Sequence, residues 1–219
     1  MQSYSNKQEA YFSNARIDIL PLLPAPVEVA LEVGCGNGAT LNYLKQQGFC
    51  RKTIGMEMHP VVADLAKEKL DEVVTGNAEL LIGERQKNSI DLILCLDVLE
   101  HMVEPWVFID QAAQLLRPGG RIIASIPNMR TAVVVSKLLV KGAFDYHDGA
   151  GIMDRTHLRY FTKKSAVALM NRAPMQVYKI LGAPRAKRSK SAIANALTLG
   201  LFHDFFTEQF LIGAERRDS

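Results

Sequence analysis

Several residues of this sequence have the type and spacing to do chemistry together. Leu31-Glu32-Val33-Gly34-Cys35-Gly36-Asn37-Gly38 sets a carboxylate two residues ahead of a glycine turn. Glycine suits a sharp bend and the close approach of a ligand to the main chain. A turn that opens a helix also points backbone N–H groups at that ligand. The turn alone fits two ligand classes. Gly34, Gly36 and Ala39 satisfy a dinucleotide spacing, with Glu57 about 20 residues on, where a ribose-binding acid belongs. The charge of Glu32 separates the two. Beside a pyrophosphate it is repelled, by several kcal/mol in a partly dry site. Beside the ammonium of a methionine moiety it is attracted, so Glu32 favours a sulfonium cofactor.

Two further segments carry acid–base groups. Asp97-Val98-Leu99-Glu100-His101 follows an apolar run, and Asp154-Arg155-Thr156-His157-Leu158-Arg159-Tyr160-Phe161-Thr162 lies later in the chain. A group displaced from a sulfonium leaves readily, so an enzyme mainly aligns the reactants and excludes water. An alcohol or phenol nucleophile also benefits from a base. His157 is the preferred candidate and His101 the second. A competing reading makes Asp154, Arg155 and His157 an internal network that pins the surrounding loop to the sheet.

Elements must hold these residues in place. Residues 8–22 read as an amphipathic helix ended by Pro21, Pro24 and Pro26. Apolar runs at 27–33, 53–56, 73–75, 90–96 and 121–126 read as strands, and 39–47, 60–70 and 105–116 as the helices between them. Strands alternating with helices at this spacing predict a parallel sheet covered on both faces. The pattern breaks at 127–161, expected to be a lid or specificity wall, with 133–140 read as a buried lid helix ahead of a membrane-touching one. A helix at 163–172 and strands at 176–181 and 208–214 follow, with 191–202 helical between them. The last strands read as a hairpin-like pair, giving one domain over 1–219 with a helical segment at 1–26.

The bulk numbers narrow the function classes. The 219 residues are 48% hydrophobic and 22% charged, which suits a globular domain with a sizeable core. A net charge of +3 does not mark a polyanion binder. Arg185, Lys187, Arg188 and Lys190 form a short basic run read as solvated loop. Cys35, Cys50 and Cys95 make no paired framework, so a reduced, cytoplasmic compartment is expected. No apolar run approaches the roughly 18 residues that a membrane span needs.

With its glycine motif and leading acid at 32–38, Gly55-Met56-Glu57, Asn77-Ala78-Glu79, and Asp91 to His101 followed by Leu116-Arg117-Pro118-Gly119-Gly120, the chain resembles the class I methyltransferases over roughly residues 27–126. The resemblance implies a Rossmann-like, doubly wound α/β fold whose mostly parallel seven-stranded sheet has an antiparallel last strand. It implies S-adenosyl-L-methionine as cofactor, held by Glu32, Gly34, Cys35, Gly36, Gly38, Glu57, Met58, Asn77, Ala78, Leu96 and Asp97. Asn77 stands where the family often carries Asp, and an amide can both donate to and accept from an adenine edge. The acid-x-x-Glu-His segment is similar to that of ubiquinone-pathway and other small-molecule O-methyltransferases. In some of these it is proposed to hold a divalent metal; here no metal is assigned. The 154–162 segment is similar to that of methyltransferases of cell-surface glycan and natural-product pathways, implying a hydroxylated small-molecule acceptor. The sequence lacks the Asn/Asp-Pro-Pro-Tyr/Phe and Pro-Cys signatures of nucleic-acid methylation, so nucleic acid is disfavoured. The alternatives are a non-catalytic cofactor- or partner-binding protein of the same fold and, behind it, a nicotinamide-dependent oxidoreductase.

Overall fold

Short apolar runs that stop at glycine or at charged residues become strands, and the mixed stretches between them become helices. The computed structural model describes residues 15–149, 151–182 and 203–217. Its strands are β1 (Val27–Val33), β2 (Cys50–Glu57), β3 (Glu72–Thr75), β4 (Ile90–Leu96), β5 (Leu116–Pro127), β6 (Met175–Gly182) and β7 (Gln209–Arg216). Its α-helices are α1 (Ala39–Gln46), α2 (Pro60–Lys67), α3 (Ala78–Leu81), α4 (Pro105–Leu115), α5 (Ala132–Lys141), α6 (Lys163–Met170) and α7 (His203–Phe206). Pro60 and Pro105 start α2 and α4, where a missing N–H costs nothing.

The seven strands form one sheet in the order β3-β2-β1-β4-β5-β7-β6. β1 pairs in parallel with β2 and β4, β2 with β3, and β4 with β5. β7 lies between β5 and β6 and runs antiparallel to both. The fold is therefore the Rossmann-like, mostly parallel sheet that the resemblance implies, with its antiparallel last strand in place.

Side chains alternate across the sheet with the period of two that strands impose. Leu31, Val33, Ile93, Cys95, Ile122 and Ala124 face one side, where α4 supplies Phe108, Ile109 and Ala112 and α6 supplies Ala166, Leu169 and Met170. Ala30, Leu92, Leu94, Leu96 and Ile123 face the other, against Leu41 and Leu44 of α1, Ala66 of α2 and Ile19 and Leu22 of the N-terminal turn. Each large side chain so buried contributes about 1.5–3 kcal/mol. The two layers fix the carboxyl ends of β1, β2 and β4 as a rigid platform.

The structure departs from the sequence reading at several points. Within the described part of the expected 8–22 helix, Ile17–Leu22 is a 3-10 turn containing Pro21, pinned by buried Ile19 and Leu22; residues 8–14 lie outside the described residues. β2 begins at Cys50 because its early residues pair with Val27 and Val29 despite their charge. β5 begins at Leu116, which pairs with Ile90 across a register shift. The helix expected at 133–140 forms, but none of its side chains is buried, and Leu139 and Val140 are about four-fifths exposed (79% and 82%). Apolar composition gives a helix no burial where no described element is packed against it. The expected helix at 191–202 and the basic run at 185–190 lie outside the described residues. No described helix is long and apolar enough to cross a membrane.

Candidate active site

The strand order reverses direction between β1 and β4, which opens a crevice at the carboxyl ends of these strands, where open α/β sheets take their ligands. The glycine turn lies at its floor. Gly34, Gly36 and Gly38 have φ of +66°, +54° and +78°, a region that other residues reach only with strain. The N–H groups of Gly34 and Cys35 both donate to the carbonyl of Met56, at 2.8 and 3.1 Å, which ties the turn to the end of β2. Gly38 starts α1, and a Cβ there would sit 2.9 Å from Leu70 Cγ.

Glu57 closes β2 and is fixed by two backbone donors. Gly36 N–H donates to its Oε2 at 3.0 Å and His59 N–H to its Oε1 at 2.9 Å. Asn77 begins α3, its Oδ1 accepting from Glu79 N–H at 2.9 Å, so the amide nitrogen is the end left to meet a ligand. Glu32 is buried, and its Oε2 has no hydrogen-bond partner among the described residues. Burial pushes its acid up to about 8, against the opposing pull of the Thr40 side chain, the Arg16 charge and the Leu41 N–H. A buried carboxylate oxygen without a donor is costly, and a cationic donor from a ligand would remove that cost.

These groups enclose a cavity of about 490 Å³. Of the residues expected to hold a cofactor, Glu32, Gly34, Cys35, Gly36, Glu57, Met58, Asn77, Ala78, Leu96 and Asp97 line it. Gly38 does not; it acts behind the turn, giving α1 its close approach to Leu70. Arg16 also lines the cavity, and the sequence reading missed it because a lone arginine in a helix-like stretch carries no motif. Its guanidinium pairs with both oxygens of Asp18, with Ser125 Oγ at 3.1 Å and with Asp97. Asp97 has φ of +57°, left-handed backbone in a residue that tolerates it better than most. Its carboxylate also accepts from Ser125 Oγ at 3.0 Å and from the amide of Gln209 on β7. Burial pushes the Asp97 acid up while Arg16 pulls against that shift.

A second cavity of about 300 Å³ adjoins the first, sharing Asp97 and His101. Polar side chains of Glu100, Asp154, His157, Glu208 and Gln209 line it together with Pro127, Gly151 and Ile152. Both candidate bases lie on it. His157 Nδ1 is 2.9 Å from the carbonyl of Ile152, and His101 Nδ1 is 3.0 Å from that of Thr156. A carbonyl only accepts, so each Nδ1 carries the hydrogen and each Nε2 is the basic nitrogen. The rings meet edge to face with centroids 4.7 Å apart. Glu100 is buried, with Oε1 3.9 Å from His157 Nε2. Sequence reading gave Glu100 no role, because only the fold brings residues 100 and 157 together.

The network reading of the 154–161 stretch holds in part. Asp154 Oδ1 accepts from both the N–H and the hydroxyl of Thr156, and the N–H groups of Leu158 and Arg159 donate to the carbonyl of Glu100. The Arg159 side chain donates to the carbonyl of Val103. Arg155 stands apart from this network, exposed and 3.6 Å from Asp148.

Residues 31–124 match the family model described as a methyltransferase domain. A ubiquinone biosynthesis O-methyltransferase of Burkholderia vietnamiensis is 30% identical over 131 residues, covering 53% of this chain and 56% of the relative. The chain thus spans little more than half the length of that relative. Among solved structures, an S-adenosylmethionine-dependent methyltransferase from Archaeoglobus fulgidus aligns with a TM-score of 0.62 at 14% identity, covering 90% of this chain and 89% of that one. The cyclase SpnF aligns with a TM-score of 0.65 at 13% identity, covering 96% and 81%. The similarity to these methyltransferases implies S-adenosylmethionine as cofactor. Residues 31–124 thus match a methyltransferase-domain model, and the chain shares the Rossmann-like fold of solved S-adenosylmethionine-dependent methyltransferases.

Proposed function

We propose that the chain transfers a methyl group from S-adenosyl-L-methionine to a hydroxyl of an uncharged small molecule seated in the smaller cavity. The observation that carries this reading is the pair of adjoining cavities: a cofactor-sized one facing the buried Glu32 carboxylate, and a smaller one lined by two histidines and four carboxylates. Glu32 takes the ammonium of the methionine moiety and Arg16 its carboxylate. Glu57 binds the ribose hydroxyls, and Asn77 and Ala78 face the adenine. Met58 and Leu96 flank the adenosine, and the glycine turn admits its backbone. When bound, the cofactor supplies an activated methyl carbon with a neutral thioether as leaving group.

The protein's task is then alignment, exclusion of water and removal of one proton. His157 is the base and His101 steadies its ring. Asp97, on the wall shared by both cavities, orients the acceptor against the cofactor. The acceptor cavity is lined by Asp97, Glu100, Asp154 and Glu208 and, among the described residues, by no lysine or arginine. That field repels a phosphate or carboxylate and accepts hydrogen bonds from hydroxyls, which favours sugars and similar metabolites over nucleic acid. The similarity to ubiquinone biosynthesis O-methyltransferases supports oxygen as the acceptor atom.

Mass spectrometry of the denatured protein tests the cofactor: S-adenosylmethionine or its demethylated product is expected, and a bound nicotinamide cofactor sinks the reading. Incubation with labelled S-adenosylmethionine and a panel of polyols, phenols and their phosphorylated forms tests the acceptor. Transfer to the neutral members is expected. A cofactor-binding protein of the same fold that transfers nothing is the alternative. It predicts tight cofactor binding and no labelled product from any hydroxylated or aromatic acceptor.

A further inference from the structure

Glu100 is among the most deeply buried carboxylates in the described structure, 2% exposed, and it belongs to no part of the cofactor cavity. Its Oε1 faces His157 Nε2 at 3.9 Å. Each Nδ1 hydrogen is committed to a carbonyl, and one side-chain ligand atom from each of Glu100, His101 and His157 lies within 4.8 Å of the others. A carboxylate opposite an imidazole lone pair is repelled by it; opposite a protonated Nε2 it is strongly attracted. With Glu100 ionised, the cluster is complementary to the imidazolium that proton removal creates rather than to the neutral ring. The same backbone bonds hold both partners: Leu158 and Arg159, next to His157, donate to the carbonyl of Glu100.

We propose that Glu100 is a positioning residue for proton removal, holding in place the proton that His157 takes from the acceptor. This rests on the methyl-transfer reading above. In the step, the acceptor O–H bond breaks and its proton moves to His157 Nε2; the oxygen bonds to the methyl carbon while the C–S electron pair stays on sulfur. The imidazolium, paired with Glu100, then releases the proton to water as product leaves. The other carboxylates around the ring add to the field but have other anchors: Asp97 bonds Arg16, Ser125 and Gln209, and Asp154 bonds Thr156. Glu208 completes the wall at the start of β7, and His101 packs edge-on against the ring.

The test is a histidine titration by NMR of the full chain labelled at the imidazole carbons, with His157→Gln used to assign the resonance. His157 of the unsubstituted protein is expected to stay protonated roughly one pH unit or more higher than in Glu100→Gln. Glu100→Asp should restore part of the difference. Calorimetry should show S-adenosylmethionine affinity unchanged in both variants, which a merely structural role would not preserve. Equal midpoints in wild type and Glu100→Gln overturn the proposal, and so does a stoichiometric divalent metal in elemental analysis of the purified protein. If Glu100→Gln does not fold, the wild-type titration alone decides: a His157 midpoint at or below the ordinary value of about 6.5 overturns it. Failure to bind S-adenosylmethionine would instead sink the methyl-transfer reading and leave the Glu100–His157 pair to be judged by its own titration.

Discussion

Glu32 concentrates the most consequence in one side chain. Its acid stands at about 8 against an ordinary 4.5, because burial penalises the carboxylate. The folded protein thus keeps a proton that the unfolded chain has released above about 4.5, so this residue's contribution to stability falls as pH rises through that window toward 8. Glu32→Gln removes the titration. Without ligand it should be more stable than wild type at pH 8 by about 1–3 kcal/mol and nearly equal to it at pH 5, read by thermal melts across that range. Cofactor binding has the opposite slope. An ammonium prefers the ionised carboxylate, so wild-type affinity should rise with pH up to about 8 and level off there, while Glu32→Gln binds more weakly and without that slope. Glu57→Ala loses the proposed ribose contacts and strands two backbone donors, Gly36 and His59. A loss of affinity of about 1.5–3 kcal/mol, roughly tenfold to a hundredfold, is expected by calorimetry.

At the scale of elements, the glycine turn works because α1 and α2 lie close behind it. Gly38→Ala combines a positive φ with a Cβ 2.9 Å from Leu70 Cγ, and should cost about 1–3 kcal/mol. In a chain of this size that is a melting temperature lower by roughly 2–4 °C per kcal/mol. Adding Leu70→Ala makes room and should recover the steric part, so the double variant should fall short of the sum of the two single losses. α5 makes the contrasting case. Leu139→Gln with Val140→Gln changes side chains already in water and should shift stability by no more than about 0.5 kcal/mol. A larger fall would mean that this helix packs against something in solution. Much of this scale was legible in the sequence, since 27–33 and 90–96 are strands with those same limits. The burial of α5 was not, because apolar composition says nothing about whether a neighbour arrives to cover it.

For the molecule as a whole, Arg16 is the link to examine. It joins the N-terminal turn to Asp97 across 81 residues of sequence and to Ser125 across 109. Arg16→Ala removes the cation from one wall of the cofactor cavity and one of the three anchors of Asp97. Cofactor affinity should drop roughly tenfold to a hundredfold by the loss of a charged hydrogen-bond donor. Transfer should fall further than affinity, because Asp97 stands on the wall shared by both cavities. Steady-state kinetics alongside calorimetry separates the two effects.

The sequence by itself determined what acts over short distances. Apolar runs that stop at glycine or at a charged residue made β1 and β4, prolines at 60 and 105 started two helices, and the charge of Glu32 favoured a cationic ligand over a phosphate one. These follow from local sterics, side-chain period and charge. Tertiary structure decided everything that depends on which distant groups meet. It put β7 between β5 and β6, set Gln209 and Arg16 on the same carboxylate, and brought Glu100 against His157. Such pairings belong to no single window of sequence, because they follow from how the whole sheet closes its two faces. The glycine turn marks the proposed cofactor site locally; the proposed acceptor site forms only once the chain has folded back onto it.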